Sequence, residues 1–308
     1  MIFSSDPTIN LISDRGIPVS EAIFIAEDMV IADDQFFVLD AKSFLLVKMD
    51  KNGKQLAKAG GRGQGPGEFF NPWSVAAGDG KIFVGDIYKI HVFNATNLQF
   101  EDQIKVVNNS PSLLYDQGEL FLGLVNYPNA KDGVYVYDFD GNVRRTFYDC
   151  QCEDPPYLAM QAGRLYVLSH LEYRVDVFDR LGKPLNGIAL KPSGQYKEVI
   201  PFEPMRKKMG DSYATYLKWL SKFSKPSRVA VSDGFLWVCF GELQNDLRST
   251  NYYVDIYDLS NNSKVVSWKK MNGRLYRGGE KAWFIEETPQ SDGGYGLEIK
   301  GYRVERKP

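Results

Sequence analysis

The stretch GGRGQGPGEFFNPWSVAAGDGKIFVGDIYKIHVFN, residues 60–94, decides how the chain is read. Its first part, Gly60 to Pro72, is dense in glycine and proline and reads as a long loop, because glycine accepts positive φ and proline fixes φ near the turn value. Beyond it the text predicts a strand at Trp73–Ala77, a tight turn at Gly78–Gly80, a second strand at Lys81–Gly85, a turn at Asp86–Tyr88 and a third strand at Lys89–Phe93. The apolar residues between the turns are β-branched or aromatic, as strands prefer.

Working outward, this unit recurs. The third strand ends at an Asp or Asn in LLVKMD (Asp50), IHVFN (Asn94), VYVYD (Asp138), VDVFD (Asp179) and VDIYD (Asp258), and LEIKGYRV lies near the C-terminus. The second strand repeats as QFFVLD, KIFVGD, ELFLGL, RLYVLS, FLWVCF and KAWFIE. First strands are expected from Met29, Trp73, Ser112, Tyr157, Ser227 and Gly273, with Pro72, Pro111, Pro156 and Pro226 standing just before four of them, where no ladder donor is needed. The turns DKNGK, DFDGN and DRLGK then lead into a more polar fourth strand, glycine at a fixed offset being a hairpin signal.

A period of roughly 40–45 residues with four short antiparallel strands is the pattern of a propeller blade. Six units imply an all-β, six-bladed β-propeller occupying 1–308. Such a ring must close. The last unit leaves little chain for a fourth strand, so an N-terminal segment, either TINLISD or AIFIAE, is expected to supply it. One stretch breaks the period, Lys191 to Lys225. Asp211 is expected to cap a helix there, with Tyr213, Tyr216, Leu217, Leu220 and Phe223 on one face, forming a helical insertion between blades 4 and 5 on the ligand-binding face.

Composition narrows the function classes. Hydrophobic residues make up 44% and charged residues 25% of the 308, enough for a core, and the formal net charge of −2 gives no basic surface demanding nucleic acid. No apolar run reaches membrane-spanning length. The start, MIFSSDPTINL, carries neither an export pattern nor a lipid-attachment cysteine, which fits a cytoplasmic protein or one whose export segment is missing from this sequence. Three cysteines cannot make a full disulfide framework: Cys239, in FLWVCF, is expected to be buried, and Cys150 and Cys152 are read as free or capping thiols ahead of a local disulfide or a metal pair.

The segment GQGPGEFFNPWSVAAGDGKIFVGD with KIHVF, together with SHLEYRVDVFDRLGKPL, resembles the NHL-type propeller repeat. The whole chain is similar to the six-bladed propellers common in Bacteroidota, many of them secreted or lipid-anchored envelope proteins. The resemblance implies a propeller fold, a location in the periplasm or outer envelope and a possible lipid anchor on the precursor. The Asn-x-Arg that such repeats often carry is reduced here to the Arg of Glu172-Tyr173-Arg174.

Two loop classes converge on one face of a propeller, and with the inner-strand entrances they carry the candidate ligand or partner residues Arg62, Trp73, Tyr88, Lys89, Tyr157, His170, Glu172, Arg174, Tyr213 and Trp219. The Gly60–Gly67 run lacks the Lys-Ser/Thr of a phosphate loop and is read as a rigid inter-blade turn. His91 alternates with Ile90 and Val92 and is read as a packing residue, whereas His170 beside Glu172 is the better functional candidate. Calcium-dependent lactonases of this fold need oxygen ligands converging on the axis. The inner-strand entrances hold Trp73, Ser112, Tyr157 and Ser227 instead, an aromatic and hydroxyl lining suited to stacking and hydrogen bonding. The expectation is a non-enzymatic propeller that recognises a protein, peptide or glycan, with no catalytic residues, metal or cofactor assigned. The alternatives are a divalent-cation hydrolase or lyase, calcium being the candidate ion, and a purely structural assembly subunit.

Overall fold

The fold is described from a computed structural model, over residues 9–19, 23–108, 110, 112–124, 133–148, 155–169, 173–190, 197, 212–244, 250–276, 280–289 and 295–306. Two short strands open the chain, β1 (Ile9–Ser13) and β2 (Ile17–Pro18). Four four-stranded antiparallel sheets follow: β3 (Ala26–Ala32) to β6 (Gln55–Gly60), β7 (Ser74–Gly78) to β10 (Phe100–Lys105), β11 (Leu113–Asp116) to β14 (Val143–Phe147), and β15 (Tyr157–Gln161) to β18 (Ile188–Ala189). A helix, α1 (Tyr213–Leu220), precedes a fifth sheet, β19 (Lys225–Ser232) to β22 (Ser263–Met271). The sixth contains β23 (Gly273–Tyr276), β24 (Ala282–Pro289) and β25 (Tyr295–Arg306).

That last sheet is completed from the other end of the chain. β1 runs antiparallel to β25, from Ile9 opposite Arg306 to Ser13 opposite Tyr302, and β2 pairs further along with Ile17 opposite Ile299. Closure therefore makes the sixth sheet the first one the chain enters. Counted in that order the helix follows the fifth sheet, so the expected position between blades 4 and 5 is corrected. In the chain it lies between the sheet of 157–189 and the sheet of 225–271.

Each blade-to-blade interface is one hydrophobic cluster, and the described residues form six of them. Strand alternation explains why the second strands are apolar throughout. In QFFVLD, Phe36 and Val38 pack toward the closing sheet while Phe37 and Leu39 pack toward the sheet of β7–β10. Fully burying one such side chain contributes about 1.5–3 kcal/mol, so a strand with no solvent face suits radial packing.

The polar residue that ends each third strand shapes its hairpin. Asp50 Oδ1 accepts from the backbone N–H of Asn52 (2.8 Å) and Lys54 (3.0 Å), Asp138 Oδ1 from Asp140 (3.0 Å) and Asn142 (2.8 Å), and Asp179 Oδ1 from Leu181 (2.9 Å) and Lys183 (2.8 Å). A second device ties loops to second strands. Asp86 accepts from the N–H of Phe70 (2.8 Å) and Asn71 (2.6 Å), fixing the end of the Gly60–Pro72 loop, and Asp40 does the same for Ile25 (2.8 Å).

Candidate functional site

The inner strands β3, β7, β11, β15, β19 and β23 touch one another in sequence around the ring. Two of them carry a β-bulge near their first residues. In β3 the register passes from Ala26 opposite Asp40 to Asp28 opposite Leu39, leaving Glu27 extra. In β19 it passes from Pro226 opposite Phe240 to Arg228 opposite Cys239, leaving Ser227 extra. A bulge re-aims neighbouring side chains, and here Glu27, Asp28 and Arg228 meet at the mouth of the central channel.

Arg228 is the centre of that meeting. Its Nη2 donates to the Glu27 carbonyl at 2.8 Å, its Nη1 lies 3.8 Å from Asp28 Oδ1, and its guanidinium stands 5.2 Å from the Tyr157 ring centroid and 5.9 Å from that of Tyr276. Asp28, 1% exposed, also accepts from Val75 N–H on β7 at 2.9 Å. The Tyr276 hydroxyl donates to the Ala26 carbonyl at 2.8 Å, and Ser112 Oγ accepts from Leu158 N–H at 2.8 Å. Groups from five inner strands and from Ser112, just before β11, thus close the axis, and the hole left among them is about 10 Å³, room for one water at most.

Charge state follows from this packing. Burial opposes the Arg228 charge, but Asp28, then Tyr157 and Glu27, outweigh it and hold its pKa above the ordinary arginine value. Burial pushes the Tyr276 hydroxyl well above the usual phenol range, so it stays a donor at neutral pH. The thiol of Cys239, buried behind the same cluster, is pushed up to about 11 chiefly by burial and is no nucleophile at neutral pH.

Above the closed axis lies a cavity of about 340 Å³, roofed by Leu217 and Leu220 of α1 and by Phe223. Its floor and sides include Tyr157, Arg228, Glu27, Arg274, Tyr252 and Lys225. Arg274 donates from Nε to the Tyr252 hydroxyl at 2.7 Å, and its Nη1 stands 3.6 Å from Glu27 Oε2. A wider groove of about 670 Å³ shares Thr250, Tyr252 and Arg274 with the cavity and runs past the exposed Phe24, Ile25 and Tyr295.

The roof is anchored. Ser212, not Asp211, caps α1, its Oγ accepting from Thr215 N–H at 3.4 Å; Asp211 lies outside the described residues. The rings of Tyr216 and Trp219 stack at 6.2 Å, and Trp219 meets Phe223 at 4.8 Å. Ser224 Oγ donates to Glu242 Oε1 at 2.7 Å and accepts from Lys197 N–H at 3.1 Å, while the Tyr173 hydroxyl donates to the Lys197 carbonyl at 3.0 Å.

Of the residues named from sequence, Tyr157 lies in the cavity wall and Trp219 in the helix that roofs it. Tyr213 begins that helix. Arg62, Trp73, Tyr88 and Lys89 gather elsewhere, around the Gly60–Pro72 loop: Arg62 stands 5.5 Å from the Phe44 ring centroid, Lys89 Nζ reaches the Gln64 carbonyl at 3.4 Å, and Trp73 and Tyr88 are 36% and 60% exposed. Arg174 pairs with Asp176 at 2.9 Å on its own strand. None of these five lines the cavity. His170, Glu172, Cys150 and Cys152 lie outside the described residues. Arg228, Arg274, Glu27 and Asp28 were not anticipated, although SRVAV and GRLYR both place an arginine second in the first strand. Among the described residues no group of three or more His, Cys, Asp or Glu side chains is placed to hold a metal ion. No helix among them is long and apolar enough to cross a membrane.

Residues 22–155 match the profile of a family, DUF5128, described as a 6-bladed beta-propeller. No curated protein matches the sequence. Among solved structures, a protein of Bacteroides fragilis described as exported superposes with a TM-score of 0.72 at 13% identity, over 99% of this chain and 97% of that one. A member of the duf4221 family from Bacteroides vulgatus gives a TM-score of 0.66 at 12% identity, over 97% and 99%. A chain of a nidogen/laminin complex gives 0.53 at 13% identity, over 82% and 83%. The likeness is one of fold: the chain is a six-bladed, all-β propeller.

Proposed function

We propose that the protein is a non-enzymatic binding propeller that takes a protein, peptide or glycan segment into the cavity between α1 and the channel mouth. The observation that carries this reading is a roofed, mixed polar and apolar cavity above a sealed axis. Ligand sites combine apolar walls with a few convergent polar groups, and the Leu217, Leu220 and Phe223 roof above Arg228, Arg274 and Tyr252 has that make-up. The adjoining groove extends the surface enough for a polymer. A hydrolase built around an axial cation is disfavoured, because the guanidinium of Arg228 stands among the groups that close the axis and would repel such an ion.

The cell envelope is the location we assign, in line with the exported description of the Bacteroides fragilis structure, and a lipid anchor on a longer precursor is part of the same proposal. The repeats are read as NHL-like on their shared loop, strand and hairpin order.

The test is binding to peptide and glycan arrays by the full chain and by Thr250→Trp, which adds bulk at an exposed position on the cavity rim. Binding by the wild type that the variant abolishes is expected. No binding on either array, or binding indifferent to T250W, overturns the reading.

A further inference from the structure

The cavity carries an uneven charge. Among the described residues Lys225, Arg228 and Arg274 line it against a single carboxylate, Glu27. The two arginines play different parts. Arg228 is committed to closing the axis, with Glu27, Asp28 and two tyrosine rings around it. Arg274 is hydrogen-bonded at its inner edge, where Nε donates to Tyr252, and Nη1 forms an ion pair with Glu27 at 3.6 Å that is too long for a hydrogen bond. Its side chain is 39% exposed, so both terminal nitrogens keep donors for a ligand.

A guanidinium fixed through Nε, with its outer edge open, matches a carboxylate in two parallel hydrogen bonds. Glu27 beside it disfavours a doubly charged group. The opposite wall is apolar and mostly aliphatic, Leu217, Leu220 and Leu243 with Phe223, whose ring meets that of Trp219 at 4.8 Å. Sugars are recognised largely by stacking on open aromatic faces, and here the Tyr157 ring lies against Arg228 and the Tyr252 ring against Arg274.

We infer that the cavity takes a carboxylate carried by an apolar body, the carboxylate on the Nη1–Nη2 edge of Arg274 and the body against Leu217 and Leu220. This rests on the cavity being the ligand site. The same chemistry is offered by the C-terminus of a peptide ending in an apolar residue and by a small apolar acid.

The experiment is calorimetric titration of the full chain with three probes: an N-acetylated peptide ending in leucine as the free acid, the same peptide amidated, and phenylbutyrate. The free acid is expected to bind about tenfold or more tighter than the amide, the scale of a charge-assisted pair. Arg274→Gln should erase that preference, Arg274→Lys should restore part of it, and Leu217→Glu, on the roof and outside the ring, should weaken the acid more than the amide. Melting curves check that each variant is folded. Phenylbutyrate binding as well as the peptide acid identifies a small apolar acid as sufficient, and binding of the peptide acid alone identifies a chain end; both support the inference. Equal binding of acid and amide, no binding of either acid, or a preference that survives R274Q in a folded protein overturns it. Array ligands that T250W abolishes and that show no carboxylate preference overturn it while leaving the cavity as the ligand site.

Discussion

Replacing Arg228 by methionine tests whether the axis is one packed unit. At 3.8 Å and an effective dielectric constant of about 20, the attraction between the Arg228 guanidinium and Asp28 is about 4 kcal/mol before desolvation. Methionine fills much of the volume and still packs between Tyr157 and Tyr276, but it leaves Asp28 buried without its guanidinium counter-charge, the bond from the Val75 N–H being retained. Removing one member of a buried pair costs about 3–5 kcal/mol, and the retained Val75 bond places R228M at the lower end, about 3 kcal/mol. Asp28→Asn leaves the arginine its Glu27 carbonyl and should cost about 2 kcal/mol. With both charges gone no uncompensated ion remains, so R228M/D28N should be less destabilised than R228M alone. The assay is a double-mutant cycle by thermal melting, where roughly 2 °C corresponds to 1 kcal/mol for a chain of this size. A double variant whose loss equals the sum of the two single losses would refute the coupling, and with it the claim that these charges seal the channel together.

Two further outcomes follow from local geometry. Burial raises the Asp86 pKa, but His91 and the N–H groups of Phe70, Asn71 and Ile87 outweigh it, so the folded value lies below the unfolded one. Its stabilisation is therefore fully present above the unfolded pKa of about 4 and is lost as pH falls through the folded value. Asp86→Asn should cost about 1–3 kcal/mol at pH 7, and denaturant curves should show the gap to wild type narrowing on acidification below about pH 4; a gap independent of pH would discard the assignment. Gly53 and Gly163 both hold positive φ, 84° and 71°, yet an added Cβ meets open space at Gly163 and the Pro18 carbonyl oxygen at 1.9 Å at Gly53. Gly163→Ala should cost only the left-handed strain, about 1–2 kcal/mol, while Gly53→Ala must also displace β2 from β25 and should lower the melting temperature clearly further. Equal losses would mean that the contact between the first hairpin and the closing sheet is unimportant.

The blades were legible because their signals are local and repeated. An Asp or Asn at the end of a third strand needs only the next few residues to form its turn, as Asp50, Asp138 and Asp179 do. A second strand such as QFFVLD, apolar on both faces, calls for neighbours on both sides, and a ring supplies them. The candidate site was less legible. Sequence placed Arg62, Tyr88 and Lys89 on loops of the right class and Trp73 at a strand entrance, but neither says which sector of the ring a helix covers. The cavity exists where α1 folds over β15, β19 and β23, and that choice is made by long-range bonds such as Ser224 to Glu242 and Tyr173 to Lys197.

The arginines at the axis show the physical limit most clearly. An arginine second in an apolar inner strand is costly unless it is paired, so SRVAV and GRLYR each signal a partner. The partners are Glu27 and Asp28 on β3, about two hundred residues from Arg228 and about two hundred and fifty from Arg274, brought close only by ring closure. Their placement also depends on bulges at Glu27 and Ser227, which shift the facing of the side chains and which strict alternation does not encode. Read by alternation alone, Glu27 and Asp28 would face opposite sides of β3, and one of them would point away from the channel. A charged residue inside an apolar repeat is therefore the better guide to the site than the loops around it, since its cost obliges the fold to bring a counter-charge to it. Here that obligation gathers Arg228, Arg274, Glu27 and Asp28 at the channel mouth, with the outer edge of Arg274 left for a ligand.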